Sequence, residues 1–221
     1  AIAAGLGAKV ALIERHLIGG DCLNVGCVPS KALIRASRAW ADVRRGEEFG
    51  IQFSGEVKED FPAVMTRMRT LRAQLSRTDS AQRFTGLGVD VFLGQARFAS
   101  AQTVQVGSAT LDFAKAAICT GARASAPPIP GLQEAGYLTN ETIFSLTELP
   151  AKLAIIGAGP IGCELAQAFA RFGSQVYLIE ALHGIMPNED RDAADLVEQA
   201  LVRDGVTLFC CGKELTIQKT E

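Results

Sequence analysis

Residues 152–180, KLAIIGAGPIGCELAQAFARFGSQVYLIE, decide the fold. An apolar run at 152–156 is followed at once by Gly157, Gly159 and Gly162, then by a helical pattern to about residue 172 and a second apolar run. In a G-x-G-x-x-G turn the first glycine allows a tight bend, the second lets the backbone approach a pyrophosphate, and the third lets the helix pack on the strand. Glu180 ends the second run, eighteen residues after the third glycine, where an acid binds ribose hydroxyls. The pattern predicts a dinucleotide-binding unit; a glycine turn that serves packing alone is the alternative.

The same pattern occurs a second time near the start of the chain. FGSQVYLIE at 172–180 matches LGAKVALIE at 6–14 without gaps, 166 positions apart, and residues 205–215 resemble residues 88–98. Glu14 therefore corresponds to Glu180 and is predicted to bind a second ribose; a surface charge that ends a strand is the alternative. The matching glycines would precede Ala1, so we expect the chain to begin inside the first fingerprint helix. The repeat predicts a duplicated nucleotide-binding fold.

Between the two copies the pattern predicts helices and then short strands. Apolar residues at helical spacing indicate helices at 31–44, after Pro29, and at 61–84, and residues 18–28 are predicted to be a loop. Strand-like runs follow at 89–93, 97–99, 103–106, 110–113 and 115–119. The predicted fold class is α/β, with two tandem Rossmann-like dinucleotide-binding domains, each with a small antiparallel β-meander insertion, and both incomplete.

Composition excludes several classes of protein. The chain has 221 residues, of which 48% are hydrophobic and 21% charged, which is enough apolar mass for a core and excludes global disorder. The net charge of −2 argues against nucleic-acid binding, which depends on excess Lys and Arg. No apolar run approaches the roughly 18 residues of a membrane span. We therefore expect a cytoplasmic protein with neither nucleic acid nor membrane as a partner.

The second informative stretch is GGDCLNVGCVPSKALIR at residues 19–35. Cys22 and Cys27 are separated by four residues, and Cys27 lies just before Pro29, which suits the first turn of a helix. At that position the helix dipole stabilises a thiolate, so the pair suggests redox chemistry. Zinc would need two further ligands, and the two histidines, His16 and His183, lack ligand spacing. No metal site is predicted.

The motif GGDCLNVGCVPSKAL resembles the redox-disulfide signature of the class I pyridine nucleotide-disulfide oxidoreductases, which include dihydrolipoamide dehydrogenase, glutathione reductase and mercuric reductase. The resemblance covers the whole chain, with Thr-Gly-Ala at 120–122 and the second fingerprint. It implies an FAD-binding domain at residues 1–150, the front of an NAD(P)-binding domain at 151–221, and a C-terminal dimerisation domain outside this chain. It also implies a homodimer that uses FAD and NAD(H), more than NADP(H).

The resemblance assigns roles to single residues. Cys22 would exchange with substrate, Cys27 would lie against the flavin as a charge-transfer partner, and Lys31 would sit near the flavin N5. The FAD contacts would be Glu14, Gly20, Asp21, Lys31, Ala96, Thr120 and Gly121. The NAD contacts would be Gly157, Gly159, Pro160, Ile161, Gly162 and Glu180. Asp21 replaces the usual Thr, so its side chain is expected to turn away from the diphosphate or to take a structural hydrogen bond. Glu180 favours NADH, because a carboxylate would repel a 2′-phosphate.

The implied reaction passes electrons between NAD(P)H, flavin and a Cys22–Cys27 disulfide to a disulfide or dithiol substrate or to mercuric ion. The family draws an acid/base His–Glu pair from the partner subunit's C-terminal domain, and this chain has no candidate, so these residues alone are expected to be inactive. The alternatives are a non-catalytic dinucleotide-binding or sensor protein of the same fold and a flavoenzyme without the disulfide. The remaining cysteines are interpreted as packing residues: Cys119 on a buried strand, Cys163 on a helix, and Cys210 and Cys211 on a strand. Both histidines are expected in surface loops.

Overall fold

A computed structural model of the chain describes residues 1–52, 54–55, 57–211 and 214–219. The chain divides into two compact units. The first comprises Ala1–Val28 and Thr70–Arg123, and the second comprises Pro29–Arg69 and Ala124–Glu221. The predicted domain boundary at residue 150 follows the sequence motifs and stays a prediction. No helix in the described ranges is long and apolar enough to cross a membrane.

The helices and strands alternate in the order of an α/β protein. The α-helices in the described part are α1 (Ile2–Gly5), α2 (Gly20–Val25), α3 (Cys27–Arg44), α4 (Phe61–Ser76), α5 (Ala81–Gly86), α6 (Leu132–Ala135), α7 (Pro160–Phe172) and α8 (Arg191–Arg203). Short 3-10 helices lie at Gly46–Phe49 and Ile143–Ser145. The strands there are β1 (Val10–Glu14), β2 (Val89–Leu93), β3 (Ala96–Phe98), β4 (Thr103–Val106), β5 (Ala109–Asp112), β6 (Lys152–Ile156), β7 (Gln175–Ile179) and β8 (Val206–Phe209).

The first unit contains a parallel strand pair and an antiparallel sheet. β1 pairs with β2 in parallel, from Val10↔Val89 to Glu14↔Leu93. β3, β4 and β5 follow as an antiparallel sheet in chain order. Because β1 and β2 run in parallel, Glu14 and the turn after β2 lie at the same edge, and the amide of Gly94 donates to the carbonyl oxygen of Glu14 at 2.8 Å.

The second unit is a three-stranded parallel sheet, β6–β7–β8, with α7 packed on it. Pro160 occupies the first turn of α7, and Gly173 ends the helix in the left-handed conformation at φ 108°. The apolar side of α7 is buried, and the rings of Phe169 and Phe172 each lie 5.8 Å from the ring of Phe61, at the start of α4. This aromatic cluster forms part of the unit's core and fixes α7 behind the fingerprint turn.

The sequence repeat has a counterpart in strand register. Val10 and Val89 are paired in the first unit, and Val176 and Val206, which match them in the repeat, are paired in the second. The turns that precede β1 and β7 also correspond, because Gly7 and Gly173 both have positive φ, of 87° and 108°. Two tandem Rossmann-like domains with a meander in each stay a prediction.

Several predicted boundaries are wrong, for local reasons. Residues 20–25 form α2 instead of loop, because Gly19 adopts φ 104° before the helix and the Asn24 side chain donates to the carbonyl of Gly20 at 2.9 Å. The predicted helix 61–84 is two helices, because Ser80 caps a new one by accepting from the Arg83 amide. Residues 115–119 form no strand, since no described strand pairs with them.

Candidate functional site

The fingerprint turn of the second unit has the geometry that its three glycines predict. Gly157 follows β6 with φ 101°, a conformation that favours glycine, and its amide donates to the carbonyl of Ile179 at 2.8 Å. A Cβ added at Gly162 would overlap the carbonyl oxygen of Gly157, so only glycine lets α7 approach the turn this closely. Gly159 caps α7, and Pro160 and Ile161 follow on its exposed first turn. The first amides of α7 lie at a helix N-terminus, where a phosphate is favoured.

Glu180 joins this turn through its carboxylate. One oxygen, Oε2, accepts from the amide of Ala158 in the fingerprint at 2.8 Å, and the other, Oε1, accepts from the amide of Leu182 at 3.0 Å. Burial would raise the pKa of Glu180, but hydrogen bonds from the backbone amides of Leu182, Ala158 and Ala181 outweigh it and lower the pKa. The carboxylate is therefore held ionised beside the glycine turn, as a ribose acceptor requires.

Lys31 forms an ion pair that the sequence did not indicate. Its Nζ lies 2.6 Å from Oε1 and 2.7 Å from Oε2 of Glu164, which is in the first half of α7. Both side chains are partly exposed, at 58% and 36%, so the pair contributes little to stability. Its effect is positional, because a bidentate contact restricts where the long lysine side chain can lie.

In the first unit, Glu14 has the same local arrangement as Glu180. Its Oε1 accepts from the amide of His16 at 2.8 Å, two residues on, just as Glu180 accepts from Leu182. Ala96, the first residue of β3, follows two residues after Gly94, at the edge where Glu14 ends β1. The structure thus brings Glu14 and the segment leading to Ala96 to one sheet edge.

Cys22 lies in α2 and Cys27 is the first residue of α3, and both are exposed. Gly26 makes the turn between them. A Cβ at Gly26 would come within 2.9 Å of the Asp21 carbonyl oxygen and 3.2 Å of the Cys22 Cα, so a side chain there would separate the two helices. The Arg72 side chain donates to the carbonyl of Asn24 at 3.2 Å and holds the end of α2.

Asp21 turns toward the segment at 120–122. Its Oδ2 accepts from the amide of Ala122 at 3.3 Å, which is the structural hydrogen bond expected of a carboxylate beside a diphosphate. Gly121, at φ 68°, leaves no room for a Cβ, which would meet the same oxygen at 2.5 Å. Asp21 and Gly121 are therefore brought together, while Gly20 and Thr120 lie exposed next to them in the chain.

The remaining cysteines differ from one another. Cys163 is buried as interpreted, with its Sγ 3.4 Å from the carbonyl of Ala158, and burial, aided by Glu180 and Glu164, raises its pKa to about 11. The interpretation of Cys119 and Cys211 as core residues is wrong, because both are exposed and neither lies on a strand. Cys210 is half-buried and follows the end of β8. The histidines are exposed in loops, as expected.

Comparison with known proteins extends over nearly the whole chain. The family model described as pyridine nucleotide-disulphide oxidoreductase matches residues 1–218. A mercuric reductase of Lysinibacillus sphaericus is 36% identical over 216 residues, which cover 97% of this chain and 39% of that protein. A dihydrolipoyl dehydrogenase of Acholeplasma laidlawii is 36% identical over 211 residues, covering 94% of this chain and 62% of that protein.

A solved structure resembles the chain equally well. The Cu(II) complex of the HOCl-induced flavoprotein disulfide reductase RclA from Escherichia coli superposes with a TM-score of 0.81 at 30% identity. The match covers 99% of this chain and 47% of that one. The chain thus spans less than two thirds of the length of each of these relatives.

Proposed function

The chain belongs to the pyridine nucleotide-disulphide oxidoreductase family, and from that premise we propose that it is the nucleotide-binding part of an FAD-dependent enzyme that passes electrons between NAD(P)H and a disulfide, dithiol or mercuric-ion substrate through Cys22 and Cys27. The observation that carries the proposal is the pair itself, two exposed cysteines on either side of a glycine turn within a family match at residues 1–218. Dinucleotide binding alone does not require such a pair.

Two sites of this chain would hold the cofactors. Glu14, Gly20, Asp21, Ala96, Thr120 and Gly121 would hold FAD, and Gly157–Gly162 with Glu180 would hold NADH. The fit is supported by the overlap that a side chain at Gly162 would create and by the amides that keep Glu180 ionised. Glu180 also favours NADH over NADPH, since a carboxylate repels a 2′-phosphate. When bound, the flavin supplies electron transfer between the nicotinamide and the cysteine pair.

The chain's own chemistry is thiol–disulfide exchange. In the reduced protein the Cys22 thiolate attacks a substrate disulfide and forms a mixed disulfide, and one substrate thiolate leaves. The Cys27 thiolate then attacks the Cys22 sulfur, closes the Cys22–Cys27 disulfide and releases the second substrate thiol. The two cysteines lose two electrons and the substrate gains them. Cys27 lies at the start of α3, where the helix dipole favours the thiolate that this step consumes.

Lys31 would lie near the flavin and present a positive charge to it. Glu164 acts as a positioning residue, because its bidentate contact at 2.6 and 2.7 Å limits the rotamers of Lys31. We propose that the protein works as a cytoplasmic homodimer whose partner subunit supplies the His–Glu acid/base pair that the family resemblance implies.

Stepwise anaerobic reduction of the flavin-loaded protein with NADH tests the proposal. A thiolate held against an oxidised flavin gives a long-wavelength absorption band, so the band should appear on partial reduction and disappear in Cys27→Ser. Cys119→Ser is the matched control, because Cys119 is also exposed but outside the pair, and it should keep the band.

The outcomes discriminate between the alternatives. A wild-type protein that binds FAD and NADH but shows no band at any degree of reduction would contradict the redox-disulfide proposal and favour a binding or sensor protein. A band that survives in Cys27→Ser would show that another thiol faces the flavin. For the substrate, reduction of lipoamide by the reduced protein is compared with reduction of mercuric ion, since the relatives carry both names.

A further inference from the structure

Cys211 and His183 meet at the edge of the second unit's parallel sheet where the fingerprint turn also lies. β6, β7 and β8 are parallel neighbours, so the segments that follow them emerge at one edge. The segment after β7 carries Glu180 and His183, and the segment after β8 carries Cys210 and Cys211. A thiol and an imidazole are thus placed beside the predicted ribose acid.

The two side chains contact each other at the surface. The Sγ of Cys211 lies 3.4 Å from Nδ1 of His183, and both residues are exposed. The backbone holds this arrangement, because the Cys211 amide donates to the Leu182 carbonyl at 3.2 Å and Cys211 adopts φ 63°. Positive φ is uncommon for a residue with a side chain and is retained where the surroundings determine it.

A chain of hydrogen bonds links the thiol to Glu180. The carbonyl of Leu182 accepts from Cys211, and the amide of Leu182 donates to Oε1 of Glu180 at 3.0 Å. The other oxygen of that carboxylate accepts from Ala158 in the fingerprint at 2.8 Å. A group attached to Cys211 would therefore lie one residue's contacts away from the carboxylate and would crowd the loop that positions it.

We propose that Cys211 is a modification site, which takes up a small-molecule thiol by exchange with a low-molecular-weight disulfide, with His183 as the proton acceptor, and that the adduct weakens dinucleotide binding. In the tautomer with its proton on Nε2, Nδ1 of His183 accepts the thiol proton. The Cys211 thiolate attacks one sulfur of the disulfide RSSR, forms Cys211–S–S–R and displaces RS⁻, which takes up the proton. The effect on binding rests on the proposed function of Glu180.

The other nucleophiles nearby fit this role less well. Cys210 is half-buried, and the described residues contain no group of three or more His, Cys, Asp or Glu side chains placed to hold a metal ion. Cys163, close to the fingerprint, is buried, and its raised pKa of about 11 leaves little thiolate near neutral pH. Among the cysteines of the second unit, Cys211 is the one that is exposed and contacts an imidazole.

The rate of adduct formation tests the site independently of nucleotide binding. The protein is incubated with oxidised glutathione, and the adduct on residue 211 is followed by peptide mass spectrometry. His183→Gln should slow the reaction about tenfold, less than a full general base contributes because some thiolate forms without help. Cys210→Ser is the matched control and should leave the rate at Cys211 unchanged. An unchanged rate in His183→Gln, or preferential modification of Cys210, would overturn the proposal.

The second measurement is NADH binding by titration calorimetry before and after glutathione treatment. Treatment should weaken binding about tenfold, the size of one lost charge-assisted hydrogen bond. It should have no effect in Cys211→Ser, which keeps the other cysteines. If untreated protein binds NADH and the adduct leaves that affinity unchanged, the coupling to Glu180 is wrong. If untreated protein does not bind NADH, the proposed function fails, and the coupling with it, while the rate measurement still decides the modification site.

Discussion

Asp204 at the end of α8 should be the most sensitive charged residue of the second unit. Its Oδ2 accepts three hydrogen bonds, from Arg171 Nη2 at 2.8 Å, Arg171 Nε at 2.9 Å and Gln167 Nε2 at 2.8 Å. The side chains of Arg171 and Asp204 are only 13% and 8% exposed. The carboxylate thereby ties the C-terminal half of α7, the fingerprint helix, to the end of α8.

Asp204→Asn keeps the shape of the side chain but removes its charge. Removal of one partner from a buried ion pair costs roughly 3–5 kcal/mol, because the other charge stays buried without compensation. The amide oxygen still accepts weaker hydrogen bonds, so we expect a loss near the lower end, about 3 kcal/mol. Asp195→Asn is the matched control. Asp195 pairs with Arg191 at a similar 2.9 Å, but the two side chains are 43% and 56% exposed. That substitution should cost only about 0.3–0.5 kcal/mol.

Trp40 makes the measurement specific to this unit. It is the single tryptophan of the chain and lies in the Pro29–Arg69 segment of the second unit, so its fluorescence in a denaturant titration follows the unit that contains the pair. A double-mutant cycle with Arg171→Gln should give a coupling of roughly 1–3 kcal/mol. If Asp204→Asn were no more destabilising than Asp195→Asn, the buried pair would not hold α7 to α8 and the reasoning would be refuted.

Three further predictions concern single side chains of the same unit. The pKa of Glu180 is lowered from its ordinary value of 4.5, so its stabilising contribution is present above that value and is lost as pH falls through the lower folded-state pKa. Glu180→Gln should remove this part of the acid-induced loss in a comparison of unfolding free energies across pH, and an identical pH profile would contradict it. Cys163, with a raised pKa of about 11, should react with iodoacetamide in the native state at least about tenfold more slowly than exposed Cys119; equal rates, read by peptide mapping, would argue against its burial. Phe169→Ala should destabilise the unit by about 3–5 kcal/mol, whereas Phe209→Ala, at a 53% exposed ring, should cost much less in the same Trp40 titration.

Much of the site was predictable because it is written in short stretches of chain. The strands at 89–93, 103–106, 152–156 and 206–209 form where the apolar runs predict them. The family was identified from the cysteine motif and the fingerprint, and the match at residues 1–218 confirms it. The helix break at Ser80 could also have been found, since a serine between two helical patterns is a common cap.

Other features had no local signal. The strand predicted at 115–119 does not form, because a strand exists only through pairing and the apolar run says nothing about a neighbour. The exposure of Cys211 was missed for a related reason. β8 ends at Phe209, and the backbone turns to φ 63° at Cys211, so alternation along a strand no longer applies there.

The sequence by itself determined the α/β class, the duplicated strand–acid pattern, the glycines of the turn and the redox motif, since each depends on backbone sterics or on residues a few positions apart. Only the tertiary structure decided which charges and nucleophiles meet. Lys31 contacts Glu164 from 133 residues away, Arg171 contacts Asp204 from 33, and His183 contacts Cys211 from 28. These partners come together because parallel strands return the chain to the same sheet edge and helices pack across it, and no spacing along the sequence records that distance.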